Sequence, residues 1–540
     1  MHKEKQRGGA AGVDGVPLAG RRGSADQRNR IGRITDDRDH WNKRNANGQG
    51  AVGREKLACI AAGGGACGRC RVRFLEGVTE PTEQERRLLT EDELAEGVRL
   101  ACEARVSAPC HIRIEPDDKN LEVLLDGEEG APVSSVSEDS RAGWSEADCA
   151  IAVDIGTTTL AAELFCLKDG RTLATVSGVN SQRAYGADVL SRILASNEGK
   201  GALLRACMQS DILKLMEQLL KNTGHAVPVR RLALVGNTAM CHLLRGLSCQ
   251  GLGRAPFTPT DHSLFQSSAA KLLGSWDWEA EATILPGISA FVGADFVAGV
   301  FANGLISKKE PCLLLDIGTN GEMGVWDGEK LLVTSAPAGP VFEGGTVSCG
   351  IPGIPGAISH MAYWGGRFLC ETIGEQPPIG ICGSGMIDLV SELAAHGYVD
   401  RNGTLKEPWF TNGISLAEGV SFLQKDVREV QMGKAAIRAG IEVLLSTAGV
   451  KKEECAQIFL AGGFGYFIHE QRAIRLGLLP QEFAGRIKHV GNSALKGAKR
   501  FLLENGAGER ELAQICARAE EVSLANHPLF QETYVSQMLL

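Results

Sequence analysis

The sequence predicts an α/β protein built around an internally duplicated, two-lobed domain, with a small cysteine-bearing unit in front of it. Three observations carry this expectation. From Ile151 onward, short apolar runs ending in glycine (IAVDIG, RLALVGN, LLLDIGTNGEMGVW, AQIFLAGGFG) alternate with helical patterns. Alternation of strand, glycine loop and helix implies α/β layers. The tetrapeptide Asp-Ile-Gly-Thr occurs twice, beginning at Asp154 and at Asp316, each time at the end of an apolar run. A repeated element in matching contexts argues for duplication. Finally, the segment GGGACGRC at 63–70 holds Cys67 and Cys70 in a C-x2-C spacing.

Composition narrows the function classes. A chain of 540 residues exceeds the ~150 residues that one core commonly holds, so two or more domains are expected. The formal net charge of -8 gives no global attraction for nucleic acid. The basic stretch 1–56 lacks the interleaved aromatics of a single-strand binder. No run approaches ~18 continuous apolar residues, so no membrane span is expected. The start MHKEKQRGGAAG has no apolar core of an export signal. The 16 cysteines are therefore read as those of a reducing, cytoplasmic protein, where clustered thiols suggest metal or cluster ligands.

Four regions follow along the chain. Residues 1–56, rich in Gly, Arg, Asn and Asp, read either as disordered by composition or as a mis-assigned gene start. Residues 57–116 form the cysteine-bearing unit. Within it RVRFLEG (71–77) alternates like a strand, with Val72 and Phe74 on one face. TEQERRLLTEDEL (82–94) is a charged helical stretch and HIRIEP (111–116) alternates again. Residues 117–148 are acidic and Ser-rich, as a linker would be. Residues 149–540 are the duplicated domain, with lobes of about 149–310 and 311–540. Amphipathic helices are expected at 202–220 and 426–445.

The duplicated runs suit nucleotide phosphates. Gly156 and Gly318 let the backbone approach a phosphate, and successive N–H groups in a tight hairpin can cradle its oxygens. Thr157, Thr158, Thr319 and Asn320 add side-chain donors. Asp154 and Asp316, at the strand ends, are placed to hold the waters of a Mg²⁺ ion, which usually keeps several. FLAGGFG (459–465), with Gly462, Gly463 and Gly465, ends a strand before a helix, and GICGSGMIDL (380–389) opens one. Each could present amides to a phosphate or flank an adenine; each is also an ordinary tight strand–helix turn.

In the cysteine unit, a Gly-rich C-x2-C loop presents thiolates with backbone amides free to bond cluster sulfides. A zinc ribbon would prefer a second C-x2-C some 15–20 residues on. Here only Cys102 follows, and then Cys110, which favours a 2Fe-2S cluster over zinc. Isolated cysteines elsewhere read as small core residues.

These residues carry a resemblance. DIGTTT, DIGTNGE and AGGFG resemble the phosphate-1, phosphate-2 and adenosine motifs of the superfamily that holds acetate and sugar kinases, heat-shock proteins and actin. That resemblance implies two RNase-H-like lobes closing on ATP with Mg²⁺. The cysteine unit resembles a β-grasp ferredoxin domain, whose pattern is C-x4/5-C-x2-C with a distal Cys. Cys67, Cys70 and Cys102 match its last three ligands. The x5 position of the first is Ala61, and the nearest thiol is Cys59 at x7. Either Cys59 serves through a longer loop or the front half of the domain is missing.

The pairing of both modules resembles the reductive activators of corrinoid proteins. So do NSQRAYGADVLSRI (180–193), LVGNTAMCHLLRG (234–246), LPGISAFVGADFVAG (285–299), SAPAGPVFEGG (335–345), DVREVQMGKAAIRAGIE (426–442) and VGNSALKGA (490–498). The resemblance implies ATP-dependent return of a cobalamin-bearing methyltransferase from Co(II) to Co(I), with one electron from the 2Fe-2S cluster and a low-potential donor behind it. A homodimer is a possible assembly. Asp154 and Asp316 would position Mg²⁺ and water. Gly156, Thr157, Thr158, Gly318, Thr319 and Asn320 would contact phosphates, and Gly462, Gly463 and Gly465 would flank adenosine. Glu322 is the candidate for orienting the attacking water, with a structural carboxylate as the alternative. Asn180, Gln182 and Asp188 are candidates for the cleft or for capping. Three rivals stay open: a small-molecule kinase, an iron-sulfur ATPase activating another redox enzyme, and a nucleotide-binding regulatory module.

Overall fold

A computed structural model describes residues 71–77, 80–100, 104, 111–113, 145, 148–223, 228–274, 280–462, 468–504 and 506–540. The expectations for 1–56, for nearly all of the linker 117–148, and for Cys59, Cys67, Cys70, Cys102, Gly463 and Gly465 lie outside the described residues. The chain divides into two compact units, 1–116 and 117–540.

In the first unit, strand β1 (Arg71–Glu76) pairs antiparallel with β2 (Val98–Leu100) on one side and β3 (His111–Arg113) on the other. Val72 and Phe74 are buried, as the alternation requires. The stretch 82–94 is two short helices, Glu83–Leu88 and Glu91–Ala95, instead of the single one expected. Each opens on a capping box, Thr82 with Glu85 and Thr90 with Glu93. A second Thr-x-x-Glu box restarts the chain, because a cap with extended φ/ψ cannot sit inside a continuous helix. Glu85 is fully buried and its Oε1 accepts from the Leu100 amide at 2.7 Å. It thereby fixes the backbone two residues ahead of Cys102.

The second unit holds two six-stranded sheets. The first comprises β4 (Cys149–Ile155), β5 (Thr159–Cys166), β6 (Thr172–Val179), β7 (Val229–Gly236), β8 (Phe265–Ser268) and β9 (Glu281–Ile284), in the order β6-β5-β4-β7-β9-β8. The second takes β10 (Cys312–Ile317), β11 (Gly321–Trp326) and β12 (Leu331–Ala336). After an inserted region with β13 (Ala357–Trp364), β14 (Arg367–Thr372), β15 (Gly380–Ile381), β16 (Ile414–Ala417) and β17 (Val420–Phe422), it resumes with β18 (Gln457–Ala461), β19 (Ile487–Gly491) and β20 (Ala519–Glu521). Its order is β19-β18-β10-β11-β12-β20. Five strands correspond in order and sense: β4, β5 and β6 form an antiparallel meander as β10, β11 and β12 do, and β7 and β9 join parallel as β18 and β19 do. The duplication expected from Asp-Ile-Gly-Thr therefore extends to five of the six strands of each sheet.

Helices cover the sheets. They are α1 (Gly201–Asn222), α2 (Thr238–Arg245), α3 (Ala294–Ala302), α4 (Gly383–Ala395), α5 (Gln424–Ala448) and α6 (Ser493–Leu503). The helix expected at 202–220 is α1, which buries Leu204, Met208, Ile212, Leu215, Met216 and Leu219 at helical spacing. The one expected at 426–445 is α5. Strand β10 shows how the layers divide. Cys312 and Leu314 belong to the core that includes α3 and α6, while Leu313, Leu315 and Ile317 belong to the core that includes α5. Period-two alternation makes one strand serve both cores.

Helix α6 follows β19 in the second half of the chain, yet packs on β4 and β7 of the first sheet and against α3. The two helices meet through glycines. A Cβ on Gly497 would overlap the carbonyl of Ala298, and one on Gly299 would lie 2.8 Å from Ser493 Oγ and 3.3 Å from Leu314 Cδ2. Arg500 lies over the Phe301 ring at 3.9 Å and donates to the Phe301 carbonyl. The contact leaves no room for a methyl group against backbone, so Gly497→Ala is expected to cost about 1–3 kcal/mol by overpacking. Urea unfolding of the purified variant reads this as a lowered midpoint with unchanged slope.

Candidate functional site

The first hairpin runs from Asp154 at the end of β4 through Gly156, Thr157 and Thr158 into β5. Two asparagines brace it. Asn180, fully buried, donates from Nδ2 to the Gly156 carbonyl at 2.9 Å. Asn237 donates from Nδ2 to Thr157 Oγ1 at 3.0 Å while its Oδ1 caps α2 through the Met240 amide at 3.0 Å. A third asparagine, Asn492, caps α6 through the Leu495 amide and donates to Asp154 Oδ2, both at 2.8 Å. One side chain thus ties the start of α6 to the first hairpin.

The second hairpin runs from Asp316 through Gly318, Thr319 and Asn320 into β11, closed by the Gly318 amide on the Asn320 carbonyl at 2.9 Å. Asp316 stands directly opposite Glu322 across β10 and β11. The corresponding partner of Asp154 is Ala161, so only the second hairpin carries a carboxylate pair. Gly462, where the third glycine loop begins, has φ +93°. A Cβ there would sit 2.8 Å from the Ile317 carbonyl oxygen and 2.9 Å from Asp316 Oδ1. Glycine is required on both counts, conformation and close approach, and Gly462 belongs to the floor of this site.

Glu343 joins the two hairpins. Its Oε2 accepts from Thr158 Oγ1 at 3.0 Å and from Thr319 Oγ1 at 2.7 Å. Asp295, in the first turn of α3, completes a set of acids, with its Oδ1 accepting from the Phe296 amide at 2.8 Å.

The acids lie deep in protein but keep part of their surface open to the cleft. Their titration reflects that crowding. Asp154 is pushed up to about 6 by burial, partly offset by the Asn492 hydrogen bond. Asp295 is pushed up to about 7 by burial and then by Asp154. Asp316 rises to about 7 through burial and the charges of Asp295, Asp154 and Glu343. Glu322 stands well above the ordinary carboxylate range, chiefly from burial, then from Asp295 and Asp316. Like charges gathered in low dielectric resist ionisation unless a cation joins them. No three of the described His, Cys, Asp or Glu side chains converge on one point as a direct ligand set. The donor chemistry, all hard oxygen, fits a Mg²⁺ that keeps its waters and is shared with phosphates.

The sequence-predicted residues Asp154, Gly156, Thr157, Thr158, Asp316, Gly318, Thr319, Asn320, Glu322 and Gly462 lie on these two hairpins and the glycine turn beside them. Asn180 both caps a short turn, through the Gln182 amide, and braces the hairpin. Gln182 points inward, donating to the Leu204 carbonyl at 2.8 Å, and Asp188 caps a helix through Ser191. The start of α4, GICGSGMIDL, is tightly packed. A Cβ on Gly385 would overlap the Ile358 carbonyl, and Ser384 Oγ donates to the Ser359 carbonyl at 2.9 Å. Asp295, Glu343, Asn237 and Asn492 were not singled out from the sequence.

Two matched hairpins, each with a strand-end aspartate, on two copies of one sheet define the actin-like class of two-lobed phosphate-binding domain. Residues 310–540 match the family model described as the C-terminal domain of RACo, the ASKHA domain, and 149–308 match the RACo middle region, which is the first lobe here. The corrinoid activation enzyme RamQ of Eubacterium limosum is 31% identical over 421 residues, 71% of this chain and 69% of that protein. A [Co(II) methylated amine-specific corrinoid protein] reductase of Methanosarcina barkeri is 24% identical over 433 residues, 72% of this chain and 76% of that one. A solved reductive activator for corrinoid, iron-sulfur protein superposes with a TM-score of 0.68 at 26% identity, covering 89% of this chain and 92% of its own. The chain belongs to the RACo family of reductive corrinoid activators.

The raised pKa values fix a sign for the ligand-free protein. Each acid binds its proton more tightly folded than unfolded, so its contribution is fully present below pH ~4 and is lost as pH rises through about 6 to 7. Asp295→Asn removes one of these charges. It is expected to raise the ligand-free melting temperature at pH 8 by on the order of 2 °C and to leave it unchanged at pH 4. Melting curves across that range check both halves.

Proposed function

We propose that this chain is an ATP-hydrolysing activator that returns the cobalt of a corrinoid methyltransferase from Co(II) to Co(I). Family membership supports the reading, and the paired hairpins around the acid-lined cleft are the observation that carries it. In this reading the amides and hydroxyls of Gly156, Thr157 and Thr158 in one lobe, and of Gly318, Thr319 and Asn320 in the other, receive the phosphates of one ATP. Asp154 and Asp316 orient the waters of its Mg²⁺. Glu322, opposite Asp316, orients the water that attacks the terminal phosphate, yielding ADP and phosphate. Gly462, with Gly463 and Gly465, leaves room for the adenosine.

An iron-sulfur cluster, of the 2Fe-2S type by its cysteine spacing, would supply the single electron that Co(II) takes up. Cys67, Cys70 and Cys102 would hold it, with Cys59 as fourth ligand. A one-electron step against a gap of ~250 mV costs ~6 kcal/mol, which ATP turnover is large enough to cover. Because each lobe holds one hairpin, a nucleotide seen by both favours one arrangement of the lobes over others, and that difference is what ATP can spend on the uphill transfer. A low-potential donor would reload the cluster.

Two measurements test this. Anaerobically purified protein is expected to carry about two irons and two sulfides per chain with the visible absorption of a cluster. A colourless, iron-free protein that still binds ATP would sink the electron-transfer part. With a cognate corrinoid protein, Co(II) to Co(I) conversion should require Mg–ATP. Asp316→Asn should lower the rate by ~10²-fold or more while leaving the iron content unchanged.

A further inference from the structure

One carboxylate oxygen, Glu343 Oε2, accepts hydrogen bonds from the Thr158 hydroxyl of the first lobe and the Thr319 hydroxyl of the second. We propose that Glu343 is an internal stand-in for the terminal phosphate, which a nucleotide must displace before both hairpins can grip it, and that it thereby sets how strongly the site prefers ATP over ADP. The inference rests on the nucleotide reading of the cleft.

The geometry supports the substitution of one anion for another. An oxygen between two hydroxyl donors, one from each hairpin, is bonded as a phosphate oxygen between the lobes would be. The carboxylate is held there by its own segment. Residues Pro340–Glu343 form a single tight turn closed by the Gly344 amide on the Val341 carbonyl at 3.0 Å and the Gly345 amide on the Pro340 carbonyl at 2.8 Å. Val341 and Phe342 are buried against α5, where Gly433 leaves no room for a Cβ beside them. The backbone under Glu343 is thus anchored, and Glu343 Oε1 remains 3.5 Å from where a Cβ would stand on Gly318. Its side chain is the part that must turn aside.

Two anions cannot share those hydroxyls. A triphosphate reaching both threonines meets the charge of Glu343, whereas a diphosphate that stops short of them does not. In the free protein the same contact joins one lobe to the other, so its exchange for a phosphate is an event both lobes register.

The test compares wild type, Glu343→Gln and Glu343→Ala by calorimetric titration with Mg–ATP and with Mg–ADP, after melting curves confirm that each variant is folded. Removing the charge is expected to lower the ATP Kd by about tenfold while changing the ADP Kd by less than about threefold. Glu343→Ala stands in if Glu343→Gln folds poorly, and should shift in the same direction. An ATP affinity that is unchanged or weakened, or an equal gain for ATP and ADP, would overturn the inference while leaving the nucleotide reading intact. Failure of the folded wild-type protein to bind either nucleotide would overturn both.

Discussion

Everything in the second unit depends on the close crossing of α3 and α6 between the two sheets. Gly299 and Gly497 let the helices meet at backbone distance. Their N-terminal ends then arrive together at the cleft, one bringing Asp295 in its first turn and the other Asn492 as its cap. Asn492 hydrogen-bonds Asp154, and Asp295 raises the pKa of Asp316 and Glu322. Without that crossing the two hairpins would be copies of one motif on separate sheets. With it, they face a single space.

That space is electrostatically unfinished. Carboxylates from β4, α3, β10 and β11 crowd it; burial makes each hold its proton more tightly, and for Asp295, Asp316 and Glu322 the neighbouring acids add to that. In the proposed reading a hydrated divalent ion would offset the acids, and a polyphosphate would answer the hydroxyls and amides of the hairpins. Glu343 partly fills the second role through Thr158 and Thr319. On that reading the loaded and empty cleft differ in charge and in contacts, as an activator driving an uphill electron transfer requires.

Much of this was legible in the sequence because it is local. A strand ending in Asp-Ile-Gly-Thr states its own geometry, and two copies announce the duplication. The helical spacing in α1 is equally plain. What escaped is what folding brings together from a distance. Asp295, Glu343, Asn237 and Asn492 sit at a helix start, a tight turn and two caps, where acids and asparagines are commonplace. Nothing short of the sheet order shows them facing Asp154, Thr158 or Thr157. At GICGSGMIDL the sequence allowed both a phosphate-facing turn and a tight strand–helix turn, and the close approach of Gly385 to the Ile358 backbone accords with the second. The break at Thr90 was visible in principle, as a second Thr-x-x-Glu box inside one charged stretch.

The central claim is that one nucleotide is gripped by both hairpins at once. Hydrogen–deuterium exchange of the full-length protein, with and without Mg–ATP, tests it most directly. The account predicts that Mg–ATP slows exchange at the amides of 154–159 and 316–321 together, over the same range of ATP concentration. Protection of one hairpin alone, or of neither while ATP is bound elsewhere, would contradict it.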